Sequence, residues 1–106
     1  MREPTFLVLT ALVDGPRHGY GIIQEVTVLA EGRVTLLPGT LYAALDRLTA
    51  AGHVELDREE AVAGRLRRYY RLTPAGRQVL EAETARLRRL ATAAETRLRR
   101  AEPRTV

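Results

Sequence analysis

Arginine carries the chemistry open to this chain. Of 106 residues 17 are basic and 13 acidic, and every basic residue is arginine. Arg65, Arg67 and Arg68 crowd onto one strand-like run and the loop residue just before it, where guanidinium groups suit phosphate oxygens. Arg47 lies on a helical stretch, where a bidentate contact to guanine and a contact to phosphate are both open. Other reactive residue types lead nowhere comparable. His18 and His53 are the only histidines, far apart in sequence, and there is no cysteine to complete a metal site. There is no serine, and no threonine sits in a nucleophile elbow. Glu59-Glu60 is a carboxylate pair, read as solvated on a wing tip. Gly19-Tyr20-Gly21 is too short to cradle a phosphate. No catalytic residue, metal or cofactor is assigned, and an enzyme is not expected.

The element that positions Arg47 runs from Leu37 to Gly52 and has both ends marked. Pro38 suits a first helical position, and Gly52 suits a left-handed C′ residue. Leu41, Ala44, Leu45 and Leu48 recur at the spacing of one buried face. The opposite face carries Gly39, Ala43, Asp46, Arg47 and Ala50, with Thr40 and Tyr42 on its shoulders. Such a face of small and hydrogen-bonding residues fits a DNA major groove. Taken alone, it fits a solvated surface helix equally well.

The segment after Gly52 favours the groove. His53–Arg58 alternates apolar and polar like a half-buried strand, and Leu66–Leu72 is a second such run. Between them Glu59–Arg65 reads as a loop with one glycine. Helix followed by basic hairpin is the order of a winged helix. Its wing would set Arg65, Arg67 and Arg68 on the phosphate backbone, which positions a protein without reading sequence.

The remaining elements frame this pair. Thr5–Val13 is an apolar run, bounded by Pro4 and by Asp14-Gly15-Pro16, and is read as a helix. It is apolar nearly all round and needs cover on more than one side, one from the domain core and the other from a second chain or that chain's C-terminal helix. Arg17–Gly21 is read as a tight turn into a helix over about Tyr20 to Ala30, with Ile22, Ile23, Val26 and Leu29 buried and Glu31-Gly32 at its end. Thr73 and Pro74 then mark the start of a long C-terminal helix. Along it Leu80, Thr84, Leu87, Ala91, Ala94, Leu98 and Ala101 alternate steps of four and three, a heptad seam widened by Leu90. Phe6 and Leu9 of the first helix are expected to share this dimer interface. Pro103 ends the helix, and the last few residues are read as loose.

The fold class is therefore mainly α with a small β-hairpin wing. The expected organisation is a winged helix-turn-helix domain over 1–73 and a dimerisation helix over 74–102. At 45% hydrophobic and 28% charged residues, composition argues against wholesale disorder. A net charge of +4 favours a polyanionic partner without naming it. No apolar run approaches the ~18 residues of a membrane span, and the N-terminus does not read as a basic region followed by an apolar signal core. A cytoplasmic protein with no membrane partner is expected.

Three motifs resemble the PadR family of bacterial transcriptional regulators. Gly15–Tyr20 is similar to its turn into the second helix, Pro38–Leu48 with Ala51-Gly52 to its recognition helix, and Gly64–Gly76 to its wing and last helix start. They cover most of residues 5 to 76 in the right order. The short C-terminal helix resembles the smaller subfamily. The resemblance implies a homodimer on a pseudo-palindromic operator in double-stranded DNA, usually a repressor and often released by a small-molecule effector. It also implies that Thr40 and Tyr42 lie at the DNA, that Arg67 and Arg68 are the basic wing pair, and that Tyr20 lies near a phosphate. Tyr69 and Tyr70 match the paired wing tyrosines, one packing inward and one facing out. Ala43 and Asp46 depart from the family's frequent proline and basic residue. Asp46 either accepts from a cytosine amino group or faces away from the DNA. His53 replaces a usual apolar residue, and the absence of tryptophan removes one way of caging a flat ligand. Two other readings stand beside this one. A MarR-type winged helix usually adds terminal helices for which this chain has little room. A protein-interaction module on the same fold would not need the arginine-rich wing.

Overall fold

The computed structural model describes residues 1–103 and shows four helices and a three-stranded antiparallel sheet. In chain order the elements are α1 (Glu3–Ala11), β1 (Arg17–His18), α2 (Gly19–Leu29), α3 (Pro38–Ala50), β2 (Val54–Val62), β3 (Arg65–Leu72) and α4 (Pro74–Arg100). The sheet order is β1-β3-β2. The reading of the last few residues as loose falls on 104–106, outside the described residues.

The core lies where α1, α2, α3 and the start of α4 meet. Val8, Leu9, Ile22, Val26, Leu41, Leu45 and Val54 are fully buried there. Leu41, Ala44, Leu45 and Leu48 all point inward from α3, as their spacing required. Pro38 takes the first position of α3. Gly52 ends it at φ 77°, and the His53 N–H donates to the Leu48 carbonyl at 2.9 Å. In α2 only Ile22 and Val26 are buried among the four expected residues; Ile23 is half-buried and Leu29 exposed.

The second cover of α1 comes from within the same chain. Gly76, Leu80 and Glu83 of α4 are buried against the domain. Leu9 and Leu80, both expected on the dimer interface, are therefore spent in this chain's own core, at 0% and 8% exposure. The first ten residues of α4 pack on that core through Gly76, Leu80 and Glu83, and the molecule reaches a longest extent of 70 Å. Thr73 locks the junction. Its Oγ1 donates to the Gly52 carbonyl at 2.6 Å and accepts from the Gly76 N–H at 3.0 Å. A Cβ on Gly76 would fall into the His53 carbonyl, so the first turn of α4 packs this closely on the backbone after α3 only because residue 76 is glycine.

The hairpin is longer and tighter than the alternation suggested. The strands continue through 59–62, and the turn is only Ala63-Gly64, at φ 50° and 76°. Both central residues thus have the positive φ that a two-residue type I′ hairpin needs. Glu59 and Glu60 are paired strand residues opposite Arg68 and Arg67, not a wing tip. The register shifts between Leu56 and Arg58, leaving Asp57 as a bulge. Only Val54 of β2 reaches the core, and Leu56 is exposed.

Candidate nucleic-acid interface

Arg17 and His18, expected in a turn, form the short strand β1 beside β3, with Arg17 opposite Tyr70 and His18 opposite Tyr69. This pairing ties the start of α2 to the wing. Arg17 Nε donates to the Ala11 carbonyl at 2.7 Å, which holds the same corner to α1. His18 is the N-cap of α2, its Nδ1 accepting from the Gly21 N–H at 3.1 Å. Its ring stands edge-on to Tyr69 at 5.3 Å. His18, expected only as part of a turn, is thus a joint between two elements. Little in the sequence signals it, because Ser, Thr, Asp and Asn are the usual caps.

The joint opens a cleft of about 570 Å³ between α3 and the wing. Tyr20 of α2, Tyr42 and Asp46 of α3, and Arg65, Arg67 and Arg68 of β3 line it. Tyr42 leans over the start of α2, so that a Cβ on Gly19 would stand 2.5 Å from its hydroxyl. Tyr20 is 66% exposed. Five of the nine residues expected at DNA therefore share one cleft. Gly39, Thr40, Ala43 and Arg47 are exposed on α3 but do not line it. The helix consequently presents two flanks, one toward the wing and one away. Asp46, left undecided by the sequence, is on the wing flank.

Cross-strand carboxylates decide which guanidinium groups are uncommitted. Arg68 Nε lies 3.3 Å from Glu59. Glu60 faces Arg67 in register, but its carboxylate is taken by Arg58 Nε at 2.6 Å. That bond is the main reason the Glu60 carboxyl is held below its ordinary range. Arg58 in turn stacks over Tyr69, 4.0 Å from the ring centre. Arg71 is held by Glu55 at 2.9 Å and Asp57 at 3.3 Å. Among the described residues Arg47, Arg65 and Arg67 have no ion-pair partner, and all three are exposed. Of the paired tyrosines, Tyr70 packs against the core, while Tyr69 lies between His18 and Arg58 on the other face.

A helix pair followed by a basic antiparallel hairpin, with an exposed helix face beside the hairpin, is a winged helix-turn-helix, a DNA-binding fold. Residues 8–82 match the Transcriptional regulator PadR-like family, and the chain belongs to that family. It is 39% identical over 84 residues to the transcriptional regulator Rv3488 of Mycobacterium tuberculosis, covering 79% of this chain and 75% of that one. It is 46% identical over 88 residues to an uncharacterized 37.1 kDa protein in transposon TN4556 of Streptomyces fradiae. That match covers 83% of this chain but only 24% of the transposon protein. The crystal structure of Bacillus subtilis PadR in complex with operator DNA superposes with a TM-score of 0.70 at 23% identity, covering 78% of this chain and 47% of that one. No helix among the described residues is long and apolar enough to cross a membrane.

Proposed function

We propose that this chain binds double-stranded operator DNA as a homodimer, with α3 in the major groove and the wing on the backbone. The observation that carries this reading is the shared cleft, where uncommitted Arg65 and Arg67 stand beside the exposed face of α3. Gly39 adds to it. A Cβ at Gly39 would meet no atom of the chain, so nothing inside the protein calls for glycine there. Close approach of a partner would call for it. On this reading Gly39, Thr40, Ala43 and Arg47 face base edges, with Tyr42 on the shoulder. Tyr20, Arg65, Arg67 and Arg68 hold phosphates.

The dimer rests on α4. The stripe that begins in the core at Leu80 continues outward through Leu87, Leu90, Ala91, Ala94 and Leu98, all exposed in the single chain. Phe6 borders its inner end across a groove of about 400 Å³. A second copy of α4 laid on this stripe would cover it and hold two recognition helices at a fixed spacing, which a pseudo-palindromic operator mirrors. Residues 1–73 then serve as the DNA-binding domain and 74–102 as the dimerisation helix. The groove beside Phe6, Leu7 and Leu87 offers an effector a place to alter that spacing. The protein acts as a cytoplasmic repressor released in this way. A gel shift on the chain's own upstream region, against a shuffled duplex of equal length, tests the reading. A retarded band confined to the upstream duplex supports it; equal or no retardation of both rejects it.

A further inference from the structure

Asp46 is the carboxylate on the wing flank of α3, one turn beyond Tyr42 and in the same cleft as Arg65, Arg67 and Arg68. It is exposed and has no ion-pair partner within 4.0 Å among the described residues, although three arginine residues border the same cleft. Resting on the DNA-binding reading above, we infer that Asp46 is a specificity-determining residue that selects cytosine at one symmetric pair of operator positions.

A major groove offers a carboxylate few partners. An ionised carboxylate only accepts hydrogen bonds. Guanine presents two acceptors there, and thymine presents an acceptor and a methyl group. Adenine has an amino donor, but an acceptor nitrogen stands beside it. Cytosine offers an amino donor with no acceptor of its own alongside. With the wing arginines drawn to phosphates, cytosine is the base edge that satisfies Asp46 with the fewest acceptors beside it, the paired guanine O6 on one side only, whereas the adenine amino group is flanked by N7 and by thymine O4. The residue discriminates twice, by accepting from the right base and by repelling the wrong ones. Arg47, the next residue in the chain, lies outside the cleft, so the two charged side chains of this turn address different flanks of the groove.

The test is selection of bound duplexes from a randomised pool by the full chain, by Asp46→Asn and by Asp46→Ala. Position 46 is exposed on a helix, and circular dichroism checks that both variants are folded. The wild type is expected to enrich a symmetric motif with cytosine at one pair of positions. The Asn variant should move that pair to adenine, because a carboxamide both donates to N7 and accepts from the amino group of adenine. The Ala variant should lose roughly tenfold of discrimination at that pair and keep the rest of the motif. If all three enrich one motif, and the variants only tighten binding to every duplex, Asp46 acts by plain repulsion or is neutralised by a wing arginine, and the inference fails. If the wild type enriches no motif, the DNA-binding reading falls, and this one with it.

Discussion

At Gly39 the fold makes no demand for glycine, whereas the proposed DNA contact does. Glycine in a helix is less favourable than alanine by up to about 1 kcal/mol, with less at stake in the first turn. At Gly39 open space surrounds the missing Cβ. Gly39→Ala is therefore expected to leave the melting temperature unchanged or slightly higher while weakening operator binding severalfold. Thermal melts and fluorescence anisotropy on one preparation check both halves, and unaltered affinity would take Gly39 out of the interface. Gly76 is the opposite case, since its Cβ would strike backbone within the chain. The wing arginines divide in the same way. Arg58 and Arg71 serve the hairpin through Glu60, Glu55 and Asp57, while Arg65 and Arg67 are available to a partner. Arg68 is intermediate, because phosphate would have to displace Glu59 from it.

At the scale of elements, α4 is fixed to the domain by its first ten residues, and Glu83 is the charged member of that contact. It is 9% exposed, and Arg86 grips it with two hydrogen bonds of 2.6 and 2.9 Å. The Arg86 bonds are the main cause of a carboxyl lowered from 4.5 to about 2. A depressed folded value stabilises the fold above the unfolded pKa and ceases to do so as pH falls through the folded one. The contribution of Glu83 is thus present above about pH 4.5 and lost toward pH 2. Thermal melts of the wild type should drop across that window more steeply than those of Glu83→Gln; parallel curves would show that the pair is not linked to folding. Some of these elements were legible in the sequence and others were hidden for definite reasons. Both ends of α3 and the start of α4 were readable because proline, threonine and glycine act locally there. β1 was hidden because two residues have no periodicity, and their strand character comes from β3. Residues 59–62 looked like loop because Glu and Ala are poor strand formers. Cross-strand pairs such as Glu59 with Arg68 support them, and these are invisible until the register is known. Leu9 and Leu80 sat correctly on apolar faces, but a heptad does not say whether its cover is the same chain or another.

The whole molecule is elongated, 70 Å by 27 Å by 21 Å, and the distal half of α4 stands beyond the domain with Leu90 and Leu98 at 55% and 70% exposure. Replacing both with glutamate should leave helicity intact and give a monomer by light scattering at micromolar concentration. Its affinity for a two-half-site duplex should fall by at least about a hundredfold, since linked half-sites bind with that order of advantage. A variant that stayed dimeric would move the interface elsewhere. On the proposed DNA-binding reading, uncommitted arginines of the wing bind the DNA backbone while α3 reads the groove. The salt dependence of operator affinity, compared between the wild type and Arg67→Ala, tests this arrangement. Log affinity should fall linearly with log salt for both, with a slope shallower by roughly one counterion per protomer in the variant. The variant should also lose affinity by a similar factor on specific and shuffled duplexes. An unchanged slope, or a loss confined to one sequence, would show that Arg67 does not hold a phosphate.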